Sequence, residues 1–156
     1  MPLNKSNLNN EILNIFNSTL SSTPAAAAAW SSAISNYFSG LTSPPSSTMT
    51  ATVSASGTVL TTGLTASFNP LTGIDRKIAF APVDVFIASL ALDSNSVSIG
   101  NVLTPPTDLF GNYAFQGIDF ENDSKSSIAK TISENIHNKI TSLLWTNPSG
   151  VTATWA

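Results

Sequence analysis

The sequence predicts a mainly α-helical single domain: a bundle of about five helices with Pro-Pro loops and a short β pair near 97–103 and 151–155. Three observations carry that expectation. Apolar residues recur in steps of three and four along several stretches, which places them on one face of an α-helix. Proline and glycine pairs punctuate the chain between those stretches. Val97, Ile99 and Val102 suggest a short strand near residue 100, and Val151, Ala153 and Trp155 alternate with Thr at the end.

In chain order, Leu8, Ile12, Ile15, Phe16 and Leu20 share one helical face behind a cap at Asn4 or Ser6. The other side is mostly Asn and Ser, poor helix formers, so this N-terminal arm (1–22) needs packing to hold. It is expected either to join the core or to dock on a neighbouring subunit. Thr23-Pro24 opens a second helix, with proline where its missing N–H costs nothing. Ala25 to Ala29 allow close approach of another backbone. Trp30, Ile34, Tyr37 and Phe38 form a bulky ridge, and Gly40 supplies a stop.

Ser43-Pro44-Pro45-Ser46 is a stiff loop. Residues 49–68 carry two periods. Met49 to Ala55 alternate like a strand, whereas Met49, Val53, Leu60, Leu64 and Phe68 follow helical steps over the whole length. The helix is preferred because the alternation stops at Gly57. A turn is expected at Asn69-Pro70 and Thr72-Gly73. Val83, Phe86, Ile87, Leu90 and Ala91 then mark a helix that begins or kinks near Pro82.

Asp93 to Ser96 reads as a polar break, and Val97, Ile99 and Val102 as a short strand. Leu109 to Phe120, rich in aromatics and glycine, reads as a loop that packs its rings on the core. The clearest helix runs from Asp123 to Leu144. Its stripe is Ile128, Ile132, Ile136, Ile140, Leu143 and Leu144, with Asp123 or Ser124 as cap and Pro148 just past the end. Val151, Ala153 and Trp155 alternate with Thr in the tail. The whole of 1–156 is thus one domain: the arm, a helical core over 23–148, and a tail over 149–156 that should be removable without loss of the fold.

Charged residues are only 10% of the chain, against roughly 25% in a typical soluble domain. A surface of hydroxyls and amides has little charge repulsion to keep copies apart, which suits a protein that sits among neighbours. The net charge is −3, and the six basic residues form no cluster, so no nucleic acid is expected as partner. There is no cysteine, hence no disulfide frame and no thiolate metal site. The N-terminal residues lack the apolar core of a signal peptide, and no apolar run approaches a membrane span. A soluble product made in the cytoplasm is the expectation.

His137 is the only histidine, and it stands beside the apolar stripe of the last helix, where a structural role is expected. A zinc site around it would have only carboxylates to recruit. Asp119, Glu121 and Asp123 cluster just before that helix, where charge complementarity with its N-terminus accounts for them. The EF-hand pattern, a phosphate-binding glycine loop and the Gly-x-Ser-x-Gly elbow are all absent from the sequence. No catalytic residue, cofactor or metal is therefore assigned.

The Leu3-Asn4-Lys5-Ser6 lead into a short helix, the Ala25–Ala29 run with Trp30, Ala33, Ile34 and Tyr37, and the Pro44-Pro45 pair form a pattern. With the late Ile128-Ala129, Ile132, Ile136-His137 helix and its Val/Thr tail, that pattern resembles small virion structural proteins of tailed, contractile-tail bacteriophages. Residues 49–68 depart from it, being rich in Thr and Ser where alanine would be expected. The resemblance implies a non-enzymatic part of a virion, in neck, tail or baseplate, whose partners are copies of itself and other virion proteins. A capsid decoration (cement) protein, and a stand-alone binding module or surface adhesin, are the alternatives. No membrane and no small-molecule substrate is implied. Candidate interface residues are Trp30, Tyr37, Phe38, Val151, Ala153 and Trp155.

Overall fold

The computed structural model describes residues 3–43, 47–48, 50–68, 75–92 and 100–156. Helix α1 (Lys5–Asn17) starts where the Asn4 side chain accepts the Asn7 N–H. It buries Leu8 and Ile12, and it packs on the last helix of this same chain as well as on its successor. The arm is therefore part of the core. Helix α2 (Thr23–Phe38) is capped by Ser22, one residue before the expected Thr23, with proline in its first turn. Strands β1 (Thr42–Ser43) and β2 (Ser47–Thr48) pair across the first proline pair, while residues 44–46 themselves lie outside the described residues.

Residues 50–68 are helical (α3, Thr50–Phe68), as the longer of the two periods predicts. Buried Val53, Leu60 and Leu64 carry its stripe. Threonine is tolerated here because its hydroxyls have partners. Thr61, Thr62 and Thr65 each donate to the carbonyl four residues back. Ser31 and Thr61 hydroxyls meet at 2.7 Å, and Ser56 and Ser89 hydroxyls at 2.9 Å, so small polar groups stitch α3 to its neighbours. A Cβ built on Gly63 comes within 2.9 Å of the Pro82 side chain, so the glycine sets the approach of the next helix.

That next helix comes in two pieces, α4 (Arg76–Ala79) and α5 (Ala81–Leu90), separated at Phe80 (φ −101°, ψ 10°). Pro82 lies in the first turn of α5, as expected of a start or kink there. Val83, Phe86, Ile87 and Leu90 are buried. The predicted turn at 69–73, the break at 93–96 and the strand residues Val97 and Ile99 lie outside the described residues. Within 109–120 the chain makes one helical turn, α6 (Phe110–Tyr113), where a loop was expected, and its rings do pack on the core.

Helix α7 (Lys125–Thr141) is capped by Ser124, whose side chain accepts the Ser127 N–H. It stops at Thr141, short of the predicted Leu144. Leu144 instead begins strand β4 (Leu144–Thr146), and Leu143 is the linker between them. The anticipated β pair is a three-stranded antiparallel sheet in the order β3 (Val102–Leu103), β4, β5 (Thr152–Thr154). The two expected strands flank β4 and do not touch each other. Its register sets Leu103 opposite Trp145 and Trp145 opposite Ala153. One row thus faces inward, where Leu103 and Trp145 are buried.

The tail is packed into the fold. Trp155 is 0% exposed, its ring stands 5.7 Å from that of Trp145, and its indole N–H donates to the Leu144 carbonyl. Packing elsewhere is equally tight where α6 meets α4. A Cβ built on Gly111 would collide with the Arg76 carbonyl and the Lys77 backbone nitrogen. Gly111→Ala is expected to cost about 1–3 kcal/mol of unfolding free energy by overpacking. Urea unfolding measures this, and an unchanged midpoint contradicts the contact.

Candidate functional surfaces

Three of the titratable residues, His137, Asp84 and Asp119, are engaged in holding the fold. His137, on α7, shares a 2.9 Å hydrogen bond between its Nδ1 and the Tyr37 hydroxyl of α2. Burial, with a contribution from Lys5, lowers the His137 pKa below 6.5. Burial also raises the Tyr37 pKa well above its ordinary value. The pair reads as a tie between two core helices, in keeping with the structural role expected of the histidine. No second histidine exists in the sequence to extend it.

Asp84, on α5, caps a different element. Its Oδ1 accepts the Phe110 N–H at 2.9 Å, supplying α6 with the side-chain cap that Leu109 cannot provide. Its Oδ2 is buried without a partner, as is the Tyr113 hydroxyl. Burial raises the Asp84 pKa, the Phe110 hydrogen bond opposes it, and Asp108 adds to it. The acidic cluster before α7 builds a turn. Asp119 accepts the Asn122 side-chain amide and the N–H groups of Glu121 and Asn122, bonds that hold its carboxyl below the usual carboxylate range, and Asp123 accepts the Asp119 N–H. Among the described residues no group of three or more His, Cys, Asp or Glu is placed to hold a metal ion.

The candidate interface residues divide in two. Trp30, Tyr37, Phe38 and Trp155 are buried within this chain, facing its own core. Val151, 62% exposed, and Ala153 are on the surface. Sequence reasoning missed the larger apolar surface residues. Val102 and Leu144 stand on the outer face of the sheet, in the row of Thr146, Thr152 and Thr154. Val59 on α3 and Val85 on α5, each nearly two-thirds exposed, border a shallow apolar groove floored by Leu60 and Phe86.

No family model, no curated protein and no solved structure matches the chain. Among the described residues no helix is long and apolar enough to cross a membrane. What distinguishes the molecule is the apolar surface that its fold leaves uncovered, on α3 and α5 at one place and on the sheet at another.

Two titrations test the ties. A depressed histidine pKa means that the unfolded chain takes up a proton at 6.5 before the folded one does. Stability is then full above that pH and falls as pH drops below it. The imidazole NMR midpoint should lie under 6.5, and a midpoint at or above that value contradicts the buried tie. Asp84 acts in the opposite sense: its raised pKa adds stability as pH falls toward 3.8. At neutral pH Asp84→Asn, which keeps the acceptor and removes the charge, should be no less stable than the parent. Asp84→Ala should lose about 1–3 kcal/mol in thermal unfolding, and equal losses from both contradict the cap.

Proposed function

We propose that this chain is a non-enzymatic structural subunit of a tailed-phage particle, in neck, tail or baseplate, acting by packing against copies of itself and other particle proteins. The observation that carries this reading is the pairing of two uncovered apolar faces with a charge-poor surface. A freely diffusing protein with 10% charged residues gains nothing from leaving Val85, Leu92, Val102 and Val151 more than half exposed. A subunit completed by its neighbours covers them on assembly.

The polar chemistry supports the same reading. Tyr37, His137 and Asp84 are each spent on joining one segment of the fold to another. The resemblance of the chain's pattern to small virion proteins supplies the setting. A capsid decoration protein is the rival within the same class, and copy number separates the two: a decoration protein follows the count of the major capsid protein, whereas a neck, tail or baseplate part does not.

The experiment is mass spectrometry of purified particles from the source lysate, with peptides of this chain counted against the major capsid protein. The expected result is a fixed number of copies per particle, well below that of the capsid protein. Its presence in the lysate but absence from particles overturns the reading.

A further inference from the structure

We infer that α5 is a self-association surface, on which a second copy of this chain docks its own α5 in antiparallel register. Ala81, Val85 and Ala88 follow one another on α5 in steps of four and three, Leu92 stands four further on in the turn just past the helix, and Ile78 on α4 continues the series three residues earlier, across the break at Phe80. This is the three-four alternation of a helix–helix seam. All five are exposed: Ile78 by 60%, Val85 by 63%, Leu92 by 76%, and both alanines likewise on the surface.

The opposite face of the same helix, Val83, Phe86, Ile87 and Leu90, fills the core. Apart from Asp84 and Ser89, helix α5 is therefore apolar, with two apolar faces of which the fold covers only one. The one charged residue of α5, Asp84, is turned toward the Phe110 N–H. Nothing on the ridge sets a like charge against its twin.

Sizes along the ridge select the occupant. Bulky residues at 78, 85 and 92 alternate with alanines at 81 and 88, so the ridge is complementary to a copy of itself running the other way. With a twofold axis near residue 83, Val85 of each copy meets Ala81 of the other, and Ile78 meets Ala88. The alanines let the helices approach closely, and the grooved side toward Val59 on α3 widens the contact. Ile78, Val85, Leu92 and Val59 together uncover on the order of 500 Å², and their small neighbours bring the face toward the roughly 800 Å² that each partner gives up in a standard interface.

This contact deepens the many-copy reading proposed above and rests on it only for the expectation that copies meet. Sedimentation of the full chain over a range of concentrations tests it. The expected result is reversible association that Val85→Glu weakens about 30-fold or more, as for loss of a central contact, with circular dichroism and thermal midpoint retained. Ala88→Glu, set opposite Ile78 of the second copy in this register, gives the same result should Val85→Glu disturb the helix. Val102→Glu on the sheet leaves association unchanged. A full chain that stays monomeric throughout, or α5 variants that associate like the parent, overturns the proposal. Association lost through Val102→Glu alone overturns the α5 contact and leaves the subunit reading standing, because presence in particles is measured separately.

Discussion

The Phe80 ring lies where the rest of the helical packing converges. It meets Trp30 at 5.2 Å, Phe68 at 5.3 Å, Phe110 at 5.5 Å and Phe115 at 5.1 Å, and so joins α2, α3 and the α6 segment at one point. Trp30 extends the cluster to Phe16 on α1. Edge-on and tilted aromatic contacts of this kind add roughly 0.5–1.5 kcal/mol each beyond the area they bury. The position of Phe80 follows from its local sequence. Pro82 has no N–H to give to the carbonyl of Ile78, so α4 ends and α5 begins around residue 80. The fold is thus pinned at a backbone break, and the break decides which face of α5 enters the core and which is left outside.

That constraint links packing to the surface. With Val83, Phe86, Ile87 and Leu90 inward, Val85 and Leu92 point away from the core. The same logic operates in the sheet, where Trp145 and Trp155 fill the inner side and Val102 and Leu144 remain outside. Polar groups show the complementary economy. Hydroxyls of Ser31, Thr61, Ser56, Ser67 and Ser89 are used between helices, which accounts for these five buried or half-buried side chains. A protein with so few charges has little to hold it apart from a like surface, and apolar ridges then become the natural points of contact.

Much of this was legible in the sequence because it rests on one-dimensional periodicity. The stripes of α1, α2, α5 and α7 name most of their buried residues, although Leu20, placed on the first stripe, lies exposed past the end of α1. The end of α7 was not legible, since Leu143 and Leu144 continue the stripe in helical step, and only the pairing of Leu144 with Thr154 shows that the chain has turned into a strand. Nor was the fate of Trp30, Tyr37, Phe38 and Trp155, because an apolar ridge has the same pattern whether it meets its own chain or another. The exposed ridge on α5 was hidden for the converse reason. In a helix with two apolar faces the buried set is easily chosen, and the remaining apolar residues pass unremarked although their three-four spacing was there to read. Asp84 as a cap for α6 depends on two segments 26 residues apart and has no local signature.

The central claim is that apolar surface left bare on α5 is where the chain meets its own kind. Hydrogen exchange of the full-length protein, compared between dilute and concentrated solution, addresses it most directly. The account predicts that concentration slows exchange across Ala81–Leu90 while the amides of α7 are unaffected. Exchange that is identical at both concentrations, or slowing confined to the sheet, contradicts it.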